Sequence, residues 1–225
     1  LIGVVVIMFV LDVKLALESV EGRGVFHLVL SGGKTPRGLY ETLAGQPFAR
    51  QMPWRRIQVW WGDERKVPPD HPHSNHRLAH EALLSHVPIP AGNIHPVHGG
   101  ARAYEQEIHQ VVPGKIPVFD FVLLGMGLDG HTASLFPGTP ALDEPSRLVM
   151  EVRYPQAVPP VPRVTMTLPL LDNSDAIIFL VEGHRKASVV DAILRDSGSA
   201  SRLPAARVRA RKSTTWLVCR PESML

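Results

Sequence analysis

Hydrophobic and polar positions alternate along this chain in two rhythms. Short apolar runs rich in β-branched and aromatic residues recur, each followed by a turn and then by a stretch with helical spacing. That succession is the signature of a parallel α/β sheet with helices on both faces. The runs predict strands near Val25–Leu30, Ile57–Trp61, Phe119–Leu124, Arg163–Thr167, Ala176–Val181 and Thr214–Val218. Thr35 followed by Pro36 reads as an N-cap and first turn, opening a helix through Ala44. Ser74 similarly caps a helix from Asn75 to Leu84, and a further helix spans His184 to Leu194. The Pro-rich stretch Pro155 to Pro162 reads as a loop between strands, because the α/β pattern resumes directly after it.

The first eleven residues, Leu1 to Leu11, are almost wholly apolar. A spanning helix needs about 20 apolar residues. A secretory signal would carry a basic start and a small-residue cleavage site, and neither is visible. The expectation is a buried strand or helix there, in a chain that lacks an initiator Met.

Composition narrows the class. With 225 residues, 44% hydrophobic and 20% charged, the chain can bury a sizeable core, and one α/β domain over 1–225 is expected, with 1–21 atypical. Net charge is only +3, and the 24 Lys and Arg residues form no long run, so neither a nucleic-acid partner nor a membrane is expected. The one cysteine, Cys219, sits in an apolar run and reads as a small buried hydrophobe.

In parallel α/β sheets, ligands sit beyond the carboxyl ends of the strands. Three distinctive loops fall there: Ser31–Thr35, Gly62–Arg65 and Gly125–His131. The first, Ser31-Gly32-Gly33-Lys34-Thr35-Pro36, follows a strand and opens a helix, so its N–H groups and the helix dipole suit a phosphate. It is not a nucleotide P-loop, which would need glycine where Leu28 stands. The third loop contains a literal GxGxxG from Gly125 to Gly130. It lies mid-chain, lacks a well-placed acidic residue about 20 positions on, and carries little weight as a dinucleotide motif.

Asp129 and His131 stand two residues apart in that glycine-flanked turn. There a carboxylate can orient an imidazole that titrates near neutral pH and serves as a general base. The second loop, Gly62-Asp63-Glu64-Arg65, combines two carboxylates with a guanidinium able to grip an oxyanion in bidentate fashion. Among His71, His73, His76 and His80, only the last two have helical spacing. They lack the intervening glutamate of a zinc-protease motif, so a solvated helix face is expected rather than a metal site.

Together these segments resemble the 6-phosphogluconolactonase family, related to glucosamine-6-phosphate deaminases and isomerases. The resemblance runs from about Gly22 to Leu217. It is carried by Leu30 to Pro36, Trp61 to Arg65, Ser74-Asn75, the run from Gly125 through His131-Thr132-Ala133-Ser134-Leu135-Phe136-Pro137-Gly138, and Arg163 to Pro169. It implies hydrolysis of 6-phosphoglucono-δ-lactone to 6-phosphogluconate, the second step of the oxidative pentose phosphate pathway, with no cofactor and no metal. The fold it implies is a three-layer, doubly wound, mainly parallel sheet.

By the same resemblance His131 is the base and Asp129 its orienting partner. Gly32, Gly33 and Thr35 cradle the phosphate, Arg65, Arg163 and Lys186 are its cationic partners, and Asp63 joins the substrate-binding set. Related deaminases carry a glutamate shortly after the histidine, whereas Ala133 to Pro137 offer no carboxylate, which favours lactone hydrolysis. A sensor that binds a sugar phosphate without turnover would not need Asp129, His131 and Arg65 together. The chain departs from the family pattern at its N-terminus, where an ordinary first strand is expected and Asp12 to Glu21 reads as the following helix. It also has Lys34 where a serine is common and His76 where an aromatic is common. A cytoplasmic monomer or weak homodimer is expected.

Overall fold

In the computed structural model, which describes residues 24–195, 200 and 202–220, the central sheet has five parallel strands. They are β1 (Phe26–Leu30), β2 (Ile57–Trp61), β4 (Phe121–Leu124), β7 (Ala176–Glu182) and β8 (Ser213–Cys219), in the order β2-β1-β4-β7-β8. A second, antiparallel sheet has the order β3-β6-β5, from β3 (Asp63–Arg65), β5 (Val149–Val152) and β6 (Arg163–Met166). The expected strand at Arg163–Thr167 therefore exists but belongs to this small sheet, not to the parallel one. Its partners β3 and β5 are too short and too polar to register as apolar runs. The readings of Leu1–Leu11 and of Asp12–Glu21 lie outside the described residues.

Period-two alternation sorts the strand residues onto two faces, and each face carries its own helices. On one side Phe26, Leu28, Leu30, Val59, Trp61, Phe121 and Leu123 pack against α1 (Lys34–Ala44), α2 (Phe48–Gln51) and α3 (Asn75–Ala82). On the other, Val29, Trp60, Val122, Leu124 and Phe179 meet α4 (Gly100–Val111), α5 (Leu168–Asp172) and α6 (His184–Leu194). The small sheet joins this second side through Val149, Val164 and Met166, and so does α7 (Pro204–Arg207) through Ala205. This is the three-layer, doubly wound arrangement. The point where strand order reverses lies between β1 and β4, because the chain moves from β1 outward to β2 and then returns to β4 on the opposite flank.

Helix α1 buries Pro36, Leu39, Tyr40 and Leu43, an i, i+3, i+4, i+7 stripe facing the sheet. Its N-cap is Gly33, with no side-chain cap, so Thr35 is inside the first turn rather than capping it. The Thr35 hydroxyl instead donates to Glu182 Oε2 at 3.2 Å. Ser74 does cap α3, its Oγ accepting from Arg77 N at 3.1 Å. Cys219 is only half-buried on β8, which among the described residues pairs with β7 alone. Among the described residues, no helix is long and apolar enough to cross a membrane.

Candidate active site

The carboxyl ends of β2, β1 and β4 stand side by side, and the loops leaving them enclose a cleft of about 210 Å3. Two tyrosines fix the strand ends below it. Tyr40 Oη donates to Ser31 O (2.7 Å) and accepts from Ser31 N (3.1 Å), while Tyr104 Oη accepts from Trp61 N (2.8 Å) and donates to Trp61 O (3.1 Å). Burial pushes both phenols up, so they stay protonated and can both donate and accept. The first residues of two functional loops thus start from pinned peptides.

The loop after β4 closes on itself. Gly127 N donates to His131 O at 2.9 Å, Gly130 N to Gly127 O at 3.1 Å and Thr132 Oγ1 to Gly125 O at 2.8 Å. The N–H groups of two of its glycines are thereby spent internally and no helix follows directly, so the literal GxGxxG lacks the strand–turn–helix setting of a dinucleotide cradle. The turn instead presents a dyad: Asp129 Oδ1 lies 2.5 Å from His131 Nδ1 and accepts from His131 N at 3.2 Å. The tautomer that donates from Nδ1 to this carboxylate leaves Nε2 as the basic nitrogen of the ring. The His131 side chain is 31% exposed, enough for water and ligand to reach it. Phe136 backs the ring, with centroids 4.6 Å apart, and the Arg163 guanidinium lies 5.4 Å over the same Phe136.

The loop after β2 becomes β3 and its acidic residues organise the neighbourhood. Glu64 accepts from Arg65 N, Asn75 N and His76 N, each at 2.7 Å, and from Ser74 Oγ at 3.0 Å, satisfying free N–H groups at the start of α3. Burial pushes its carboxyl up, and the backbone donations pull it back. Asp63 is engaged on both oxygens: Ser134 Oγ donates at 2.6 Å and Asn75 Nδ2 at 3.1 Å, with Arg163 Nη1 at 3.9 Å. These contacts tie β3, β6, α3 and the histidine loop together at Asp63.

Arg163 is buried, its Nη2 shared between the carbonyls of Val158 and Pro159 at 3.2 Å each, so the Pro-rich loop serves to aim it. Burial lowers its pKa, and Asp63 opposes that shift. Arg65 is held by one donation, Nη1 to His73 O at 2.7 Å. The cleft gathers Gly32, Gly33, Thr35, Asp63, Arg65, His131, Arg163 and Lys186, so every expected residue lines it except Asp129, which reaches it through His131. It also contains Ser31, Asn75 and Ala133, which the sequence reading did not single out as site residues. Ala133 adopts φ 47°, the single positive φ outside glycine among the described residues.

Larger hollows among the described residues lack this dyad. One of about 540 Å3 lies beyond Arg65 and is lined by His76 and His98 among others. His80 is exposed on its helix face as expected, whereas His76 is half-buried. It packs edge-on against Trp61, 5.3 Å between centroids, and burial lowers its pKa. Among the described residues, no three His, Cys, Asp or Glu side chains come together to hold a metal.

A family model described as glucosamine-6-phosphate isomerases/6-phosphogluconolactonase matches residues 10–216. A 6-phosphogluconolactonase of Synechocystis sp. is 40% identical, aligned over 89% of this chain and 85% of its own. One of Haemophilus influenzae is 37% identical over 84% and 82%. The crystal structure of 6-phosphogluconolactonase from Thermotoga maritima superposes with TM-score 0.81 at 36% identity, covering 95% of this chain and 94% of that one.

Proposed function

Because the chain belongs to the glucosamine-6-phosphate isomerase/6-phosphogluconolactonase family, we propose that it hydrolyses 6-phospho-D-glucono-1,5-lactone to 6-phospho-D-gluconate. This is the second step of the oxidative pentose phosphate pathway. The observation that carries the reading is a single cleft holding an Asp129–His131 dyad, the N-terminus of α1 and the cationic side chains of Arg65, Arg163 and Lys186.

The chemistry follows from those parts. The phosphate dianion sits at the N-terminus of α1, against Gly32, Gly33 and Thr35, with Arg65, Arg163 and Lys186 supplying positive charge. His131 Nε2 takes a proton from water as its oxygen attacks the lactone carbonyl, and Asp129 stabilises the imidazolium that forms. The tetrahedral oxyanion then collapses, the bond from C1 to the ring oxygen breaks, and His131 returns its proton to that oxygen. A general base of this kind contributes about 10²–10⁴-fold, which suits a strained ester that already opens slowly in water. No carboxylate occupies the segment from Ala133 to Pro137, so the site lacks the extra acid that the deaminase reading would call for.

The same reading takes the 225 residues as one domain working in the cytoplasm without metal or organic cofactor, as a monomer or weak homodimer. The test is to follow freshly generated lactone with and without the protein, in EDTA, against the spontaneous rate, with glucosamine 6-phosphate as a second substrate. Acceleration with the lactone alone is expected. Ammonia release from the amino sugar, or binding without turnover, would overturn the assignment.

A further inference from the structure

Among the described residues, six buried side-chain polar atoms have no hydrogen-bond partner, and four belong to residues lining this cleft: Ser31 Oγ, Arg65 Nε, Asn75 Oδ1 and Arg163 Nε. An unpaired buried polar atom is costly, so such a concentration marks where a ligand completes the bonding. The two arginine atoms are donors and suit the phosphate. Ser31 Oγ can donate or accept and so says little about its partner.

Asn75 is more informative. It is 1% exposed, at the first position of α3, and its Nδ2 donates to Asp63 O at 2.8 Å and Asp63 Oδ1 at 3.1 Å. With two oxygens facing the amide nitrogen, the orientation of the amide is fixed, and Oδ1 is the free atom. Gly32 makes room for it, since a Cβ there would lie 1.8 Å from Oδ1. A carbonyl oxygen accepts and cannot donate, so it repels a phosphate and calls for a hydroxyl.

We infer that Asn75 is a specificity-determining residue that accepts a hydrogen bond from a ring hydroxyl of the sugar lactone, directly or through one bound water. The inference rests on the lactonase reading above. A site built to pair a substrate hydroxyl rejects the analogue that lacks it, because its own buried atom is then left unpaired. Asn75 would thus read the polyol while the arginines read the phosphate.

The test is a cycle of two enzymes and four substrates: wild type and Asn75→Ala, each on the parent lactone and on its 2-deoxy, 3-deoxy and 4-deoxy analogues. Comparing the same substrate pair in both enzymes cancels intrinsic lactone reactivity and any general damage from loosening Asp63. For one analogue, wild-type kcat/KM is expected to fall about 10- to 100-fold. Asn75→Ala should be impaired on the parent and should treat the parent and that analogue alike, within about twofold, the residual expected of uncoupled sites. If Asn75→Ala fails to fold, Asn75→Ser supplies the same cycle, and the wild-type discrimination stands as a measurement in its own right. Equal ratios in both enzymes for all three analogues, or a wild type indifferent to every hydroxyl, overturns the inference while leaving the lactonase reading intact. A folded wild type that does not hydrolyse the parent lactone overturns both.

Discussion

Gly127 lies directly beneath the His131 imidazole: a Cβ at residue 127 would sit 2.2 Å from His131 Nδ1 and 2.5 Å from Asp129 Oδ1. The dyad therefore occupies the space a side chain would fill. Gly127→Ala must push the imidazole off its carboxylate, and a displacement of about 1 Å can cost 10²-fold. We expect kcat to drop by that order, with Tm almost unchanged because the loop tip is exposed. A variant with wild-type kcat would show that the dyad geometry is dispensable.

Asp129→Asn keeps the shape of the turn but removes the charge that holds Nδ1–H and steadies the imidazolium. A loss of about 10²-fold in kcat is expected, with KM within a few-fold, since the carboxylate is 42% exposed and solvent screens part of its effect. Steady-state kinetics separates this from a binding defect, which would raise KM instead.

Two of the cations that line the cleft, Lys186 and Arg163, should part company when removed. Lys186 is half-buried on α6, and Lys186→Ala should raise KM about 10- to 100-fold with little change in Tm. Arg163 also anchors two carbonyls, Asp63 and Phe136, so Arg163→Ala should raise KM and cost about 2–4 kcal/mol of stability as well. Denaturant titration beside kinetics distinguishes the two patterns.

His76 carries a pH signature. Its folded pKa is lowered from 6.5, chiefly by burial and next by His80 and His98. As pH falls below 6.5 the unfolded chain takes up a proton that the folded chain resists, so unfolding gains and stability declines. His76→Phe keeps the packing on Trp61 and removes that proton, so Tm should fall less steeply between pH 7 and pH 5 than in the wild type. Glu64, whose carboxyl is pushed up, acts in the opposite sense near pH 4.5 and is common to both proteins. Parallel Tm curves would exclude His76 as the source.

The parallel sheet was legible because β1, β2, β4 and β7 are short, nearly continuous apolar runs rich in β-branched and aromatic residues, as strands buried on both faces must be, and the dyad was legible because two residues of one turn need no tertiary information. Helix α4 was missed since it opens on Gly99-Gly100 and buries chiefly Tyr104 and Ile108, too sparse a stripe to stand out. Strands β3 and β5 were missed because their pairing with β6 is long-range and their residues partly polar. The cap position slipped from Gly33 to Thr35 because side-chain preference cannot see the backbone turn that Gly33 makes at φ 109°. Asn75 and Ser134 became site residues only through Asp63, which meets them across 12 and 71 positions of chain.

The most direct test of the account compares lactone hydrolysis by wild type and His131→Ala at equal concentration, across pH 5 to 8, after subtraction of the spontaneous rate. The expected result is a loss of about 10²–10⁴-fold in the variant at every pH, with 6-phosphogluconate still bound at comparable affinity. Undiminished turnover by His131→Ala would contradict it.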